Sequence, residues 1–310
     1  VAKNRFPGKT CVFCSNPSVG VGEHVWPLWF LQEFHGEGPF TAARAGKPYV
    51  KRDKTTYTSD SLQGVHVPAC AECNAILNRT IEEPAKPIIR RILKHADSRD
   101  SLPLTAHECA AVARWLLKIG LLSAHPAAEY DHPGLQRDLD MPRLATVRPE
   151  WLEWMRARID PPDGFSVYVT RRDLRGEDSE VDAPQQILIP RVIVDGVDLD
   201  FMSRSFGLTG VNVNLVWHPG WPITHPQVDV GRAARLWPEP HPVDFGTLPI
   251  VAPKEFSFWV GAVGELAYTT ASFARASQLP LSVDADPIAA FFGNAGEDVQ
   301  EGSQPPAVAP

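Results

Sequence analysis

Four of the five cysteines fall into two pairs of identical spacing, Cys11 and Cys14 in TCVFCSNP and Cys70 and Cys73 in PACAECNA. A C-x-x-C turn lets two thiolates converge on one ion, and two such turns complete the tetrahedron that a structural Zn²⁺ prefers. A structural zinc held by Cys11, Cys14, Cys70 and Cys73 is therefore expected. The alternative, four unrelated buried cysteines, needs the same spacing to arise twice by chance. The 55 residues between Cys14 and Cys70 must loop out and return. Cys109, inside AHECAAVARWLLKIG, reads as a small core residue.

Between the pairs lies GEHVWPLWF, with Glu23, His24 and Pro27, and directly after the second pair comes CNAILNRTIEEPAKP. The order C-x-x-C, Glu-His-Val-x-Pro, then C-x-x-C-Asn opening a helix resembles the HNH nuclease fold, the ββα-metal type, in its bacterial form with a paired C-x-x-C knuckle and an EHVxP motif. The similarity covers about residues 8–95, under a third of the chain. Hydrolysing a phosphodiester needs a base for water, a divalent cation for the developing charge, and ligands for that cation. The resemblance implies His24 as general base, and Glu23 and Asn74 as holders of a catalytic Mg²⁺ or Mn²⁺. It also implies that His66 takes the place where the family commonly carries an orienting asparagine. Asn78 and Glu82 follow Asn74 at intervals of four, which on a helix puts all three along one face, toward one ion. Arg79 or Lys86 would then reach phosphates. Asn74 equally suits a helix N-cap, and Glu83 with Lys86 an exposed helix pair.

Several elements must position these residues. KPIIRRILKHA from Pro84 onward and the stretch Leu104–Leu122 carry apolar residues at helical spacing. Thr105 and Glu108 form a capping box, and Gly120 suits the helix C-terminus. PEWLEWMRARI predicts a third helix over 149–159, with Pro149 in its first turn. Beyond it the period changes to two, in β-rich runs at 165–172, 186–196, 197–207 and 210–218. In the last run Val211, Val213, Leu215 and Trp217 alternate with Asn212 and Asn214, predicting a sheet with one buried face. A last helix is expected over 262–278 and a disordered tail from 284.

The fold class this predicts is α+β: a zinc-stabilised module over 1–100, a helical extension over 101–130, a mainly antiparallel β-rich domain over 131–283, and the tail 284–310. Thirty prolines among 310 residues limit helix length. No run of eighteen apolar residues occurs, so no transmembrane helix is expected. VAKNRFPGKTCVFC lacks the apolar core of a secretory signal, and a cytoplasmic location and no membrane partner are expected. The net charge of −7 is uneven: residues 1–100 hold 14 Lys and Arg against 10 Asp and Glu, leaving 16 against 27 in the remainder. A polyanion would prefer the first part. Arg44, Lys47, Lys51, Arg52 and Lys54 suggest a basic strip there, or a solvated loop. The tryptophans, seven of nine after residue 110, read as core residues rather than base-stacking platforms.

The leading expectation is a metal-dependent endonuclease cutting DNA, of bacterial defence or restriction type, with residues 1–130 carrying activity on their own. The C-terminal part is then the place for self-association or a regulatory ligand. The alternative is a non-catalytic zinc-stabilised nucleic-acid-binding or interaction module. Nicking of supercoiled plasmid divides the two.

Overall fold

A computed structural model of the chain describes residues 4–34, 40–41, 43–44, 47–48, 54–56, 58–59, 64–96, 98–130, 144, 147–172, 186–188, 192–194, 197–208, 210–219, 225–251 and 282–283. The strands are β1 (Glu23–His24), β2 (Phe40–Thr41), β3 (Ala43–Arg44), β4 (Lys47–Pro48), β5 (Thr58–Ser59), β6 (Val65–Val67), β7 (Pro103–Leu104), β8 (Glu129–Tyr130), β9 (Phe165–Arg171), β10 (Gln186–Leu188), β11 (Val192–Val194), β12 (Val197–Leu199), β13 (Met202–Leu208), β14 (Val211–Trp217), β15 (Ala234–Trp237), β16 (Val243–Asp244) and β17 (Ser282–Val283). The α-helices are α1 (Leu28–Phe34), α2 (Ala71–Leu77), α3 (Glu83–Lys94), α4 (Ala106–Ser123), α5 (Glu150–Ala157) and α6 (Pro226–Asp229). Helices and antiparallel sheets are mixed, as α+β requires. The helix expected over 262–278 and the tail from 284 lie outside the described residues. So do the side chains of Arg44, Lys47, Lys51 and Arg52, while Lys54 is exposed.

Two sheets frame the chain. β1, β6 and β8 form a small antiparallel sheet in which Glu23 faces Val67 and His24 faces His66. The larger one runs β10-β13-β14-β9-β15, antiparallel throughout. β9 and β14 coincide with runs of period two; the runs at 186–196 and 197–207 each break into two strands, of which only β10 and β13 join this sheet, and β15 lies in none of the expected runs. The burial does not stop at one face. Every residue of β14 is buried, including Asn212 and Asn214. Asn214 Nδ2 donates to Ser203 Oγ and Ser205 Oγ, at 3.0 and 2.9 Å, and Asn212 Nδ2 to the Val251 carbonyl at 2.9 Å. The alternation therefore separates an apolar face from a polar one that is covered as well.

Between the two sheets runs α4. Its capping box forms as the sequence predicts, Thr105 Oγ1 accepting from the Glu108 amide while the Glu108 side chain accepts from the Thr105 amide. Its end differs: Gly120 sits inside the helix, which continues to Ser123. A Cβ at Gly120 would lie 2.1 Å from Leu215 Cδ1, so this glycine allows close packing of the helix on β14. α4 is buried almost all round from Trp115 to Ser123, as expected of a helix without a polar face.

The boundaries expected at 100 and 130 do not separate two cores. One contiguous apolar cluster extends from Cys11 to Phe245. Arg171 of β9 donates to the carbonyls of Ala96 and Ser98, at 3.2 and 2.6 Å, and to that of Gly246 at 2.8 Å. β16 pairs with β7, and Asp244 accepts from the Leu102 amide at 2.7 Å.

α2 passes without a break into a π-helical turn, Asn78–Glu82, and then into α3. Pro84 lacks an N–H, and its ring crowds the carbonyl four residues back. The wider π turn relieves that crowding and rotates the residues after it relative to those before.

Candidate functional site

Cys11 and Cys14 lie on a tight turn in which the Cys11 amide donates to the Asn16 carbonyl at 2.7 Å and the Ser15 amide to the Cys11 carbonyl at 3.0 Å. Ser15 takes a left-handed conformation, φ 62°. This knuckle hooks onto the chain between β6 and α2, the Val12 amide donating to Pro68 and the Val19 amide to Ala69, each at 3.0 Å. That chain delivers Cys70, the N-cap of α2, whose Sγ accepts from the Cys73 amide at 3.4 Å. The four Sγ atoms all lie within 4.8 Å of one another, Cys14 and Cys70 at 3.6 Å, and none is in a disulfide. Four sulfurs at about 2.3 Å from one Zn²⁺ would stand about 3.8 Å apart, so the cluster fits that ion. Burial opposes charge on Cys70, yet hydrogen bonds from Cys73 and the neighbouring thiols hold its pKa below the ordinary value. Burial pushes Cys11 and Cys73 up, with the neighbouring thiols adding to the shift of Cys73. Cys109 is buried on α4 and outside the cluster, its thiol pushed up to about 11 by burial.

β1 follows the knuckle. Gly22, directly before it, has φ 73°, and a Cβ there would meet the Val67 carbonyl at 2.2 Å; only glycine fits. The Gly22 carbonyl accepts from Asn74 Nδ2 at 3.0 Å, so Asn74 anchors the entry to β1 from the first turns of α2. The N-cap role falls to Cys70 instead. His24, half-buried, stands against buried His66 with ring centroids 4.2 Å apart and planes at 54°.

Glu23 points the other way, because neighbouring residues of a strand face opposite sides. It is buried and ion-paired with Lys118 of α4. Glu82, also buried, accepts from the same ammonium at 2.5 Å, and Lys118 Nζ donates further to the His24 carbonyl at 3.0 Å. Asn78 is exposed, on the far side of the π turn's change of face. The set Glu23, Asn74, Asn78 and Glu82 therefore does not converge on a catalytic divalent ion. What the structure brings together instead is His24 with His66, Asn74 with the strand entry, and Glu23 with Glu82 on Lys118. Arg79 is exposed, and Lys86 lies over the Trp29 ring at 5.5 Å, with Arg90 at 5.7 Å. Trp26 stacks on Phe30 at 5.4 Å, so both motif tryptophans support the fold around β1.

Lys118 escaped the sequence reading. Its signal was present: it is the one charged residue between Trp115 and Ser123, and a lysine enclosed by apolar neighbours needs carboxylates. Burial lowers a lysine pKa, but here Glu23 and Glu82 outweigh it and raise that of Lys118. Glu23 moves up as well, to about 7, through burial and the charge of Glu82, with Lys118 opposing.

The pH dependence follows from that upward shift. A carboxyl that titrates near 4.5 unfolded and near 7 folded holds its proton more tightly in the native state, so its contribution to stability is complete below pH 4.5 and is lost as pH rises through 7. Glu23→Gln mimics the protonated form. Between pH 5 and pH 8 the wild type should lose about 2–3 kcal/mol relative to Glu23→Gln. Urea denaturation of both proteins at the two pH values measures this, and parallel stabilities would refute it.

No helix among the described residues is long and apolar enough to cross a membrane. Comparison of the chain with protein-family profiles, with curated proteins and with solved structures finds no match.

Proposed function

We propose that this chain is a zinc-stabilised endonuclease that hydrolyses phosphodiester bonds of DNA, with His24 as the general base. The observation that carries the reading is the half-buried His24 imidazole against His66, on a β1-β6 pair that runs into α2 and is pinned beside four clustered cysteines. In this reading zinc holds the knuckle to α2 and does no chemistry. His24 takes a proton from water, His66 orients the His24 ring, and Asn74 fixes the strand that presents it. The balance of positive charge in residues 1–100 supports a polyanionic substrate.

A second reading has its own support. With Glu23 and Glu82 committed to Lys118, neither carboxylate is left to hold a divalent ion, which suits a non-catalytic zinc-stabilised nucleic-acid-binding module. Nicking of supercoiled plasmid by the zinc-loaded chain, with and without Mg²⁺ or Mn²⁺, separates the readings. His24→Ala should lose about 10² to 10⁴ in rate, as expected for a general base, while keeping its zinc and its affinity for DNA. Undiminished nicking by that variant would reject His24 as the base, and binding without nicking by the wild type would favour the second reading.

A further inference from the structure

We propose that Lys118 is a positioning residue of the candidate centre, its enclosed ammonium fixing the backbone of β1 from the core side so that the His24 ring is held against His66. The functional half of this rests on the nuclease reading above; the positional half rests on geometry alone. An ammonium has three N–H donors, and those of Lys118 go to the Glu23 carboxylate, to Glu82 Oε1 and to the His24 carbonyl. The Val25 carbonyl lies 3.5 Å from the same nitrogen. One cation thus touches residues 23, 24 and 25 in succession, from a helix more than ninety residues further along the chain.

β1 needs such a hold. It is two residues long, too short for its ladder to define its place alone. β6 pairs with one edge, and Asn74 grips Gly22 ahead of it. On the core side, an apolar residue at 118 would pack against Glu23 without fixing any carbonyl. The lysine occupies the carboxylate pair that a divalent ion would otherwise claim, and it converts those carboxylates from ligands into anchors for the residue next to Glu23. Buried ionic clusters often add little stability over apolar replacements while specifying position, which fits a device whose effect is placement of an imidazole. Its place in the fold agrees. The helix that carries Lys118 also packs on the large sheet through Gly120, so β1 is referenced to that five-stranded framework.

The test uses the full-length, zinc-loaded chain and three variants: Lys118→Met, Lys118→Arg, and the charge-neutral triple Lys118→Met/Glu23→Gln/Glu82→Gln. Two measurements are made on each, the NOE between the His24 and His66 rings and the steady-state kcat and KM for plasmid nicking. The triple variant removes the buried charges together and is expected to fold with its zinc. It should lose the inter-ring NOE and about 10-fold to 100-fold in kcat at unchanged KM, the scale on which a displaced catalytic group costs rate. Lys118→Arg keeps the charge but puts a longer, planar guanidinium where a compact ammonium fits, and should fall between. A triple variant with the wild-type NOE and kcat would overturn the proposal, leaving Lys118 a structural ion-pair partner only. Should the triple variant not fold, Lys118→Arg decides by the same two readouts, an unchanged NOE overturning it. If the wild type nicks no plasmid, the nuclease reading fails by itself, and the NOE still decides the positional half.

Discussion

Replacing Cys70 by serine, or treating the protein with a strong chelator, is expected to unfold the knuckle rather than merely loosen it. The knuckle has little else to hold it: Cys11 to Asn16 contain no helix or strand, whereas β1 and α1 behind them are held by Lys118 and by the buried Val25, Phe30 and Leu31. The links from the knuckle to the chain ahead of α2 are two backbone hydrogen bonds, from Val12 and Val19, each worth about 1 kcal/mol net. A structural zinc in a small site contributes on the order of 10 kcal/mol at neutral pH, comparable to the whole stability of an ordinary domain. The cluster therefore dominates the local balance. Elemental analysis should find one zinc per chain, and Cys70→Ser should lose it along with a large drop in melting temperature. Cys109→Ala should keep its zinc, since Cys109 lies outside the cluster. A zinc-free wild type, or a Cys70→Ser protein melting with the wild type, would refute a structural zinc here.

The parts of the fold that were readable from sequence are those fixed by local rules. Two C-x-x-C spacings announced the cysteine cluster, because the geometry of each turn is local and only their meeting is not. The Thr105–Glu108 box placed the start of α4, and alternation placed β9, β13 and β14. What was not readable depends on neighbours distant in sequence or on breaks in a period. The interval of four from Asn74 to Glu82 presumes an unbroken α-helix; Asn78 keeps that relation, its amide donating to the Asn74 carbonyl, and is exposed, whereas the π turn at Asn78–Glu82 carries Glu82 into the core. Gly120 looked like a helix end, since a glycine in mid-helix is unfavourable, until Leu215 explained it. Glu23 and His24 are neighbours on a strand, and period two alone sets their side chains on opposite faces, so an ion held by Glu23 does not share a face with a base at His24. Lys118 sat in plain view as the charge in an otherwise apolar helix. Its partners, 36 and about 95 residues away along the chain, could not be read off.

A fragment ending at residue 130 is expected not to fold as a unit, although it contains every residue of the candidate site. α4 has two buried faces. Lys118 looks toward β1 and the π turn, while Gly120 lies against Leu215 and Phe206 of the large sheet, and Val112 and Leu116 line a small apolar cavity with Val169, Leu208 and Val211. Cutting after residue 130 removes β9 to β15 and uncovers that second face. Each large aliphatic side chain returned to water costs about 1.5–3 kcal/mol. Val112, Leu116 and Ile119 would together lose about 4–9 kcal/mol on that scale, which is enough to exhaust the stability of a typical domain. Two further losses act in the same direction: Arg171 would no longer hold the carbonyls of Ala96 and Ser98, and β7 would lose its partner β16. Zinc can still bind four cysteines in such a fragment, but α4 would no longer hold Lys118 against Glu23 and Glu82. The fragment should therefore retain metal while showing poor dispersion in a ¹H–¹⁵N spectrum, weak near-ultraviolet circular dichroism and no nicking. A well-dispersed spectrum with wild-type cleavage would show instead that the N-terminal part folds by itself, and that the sheet covering α4 contributes nothing the site requires.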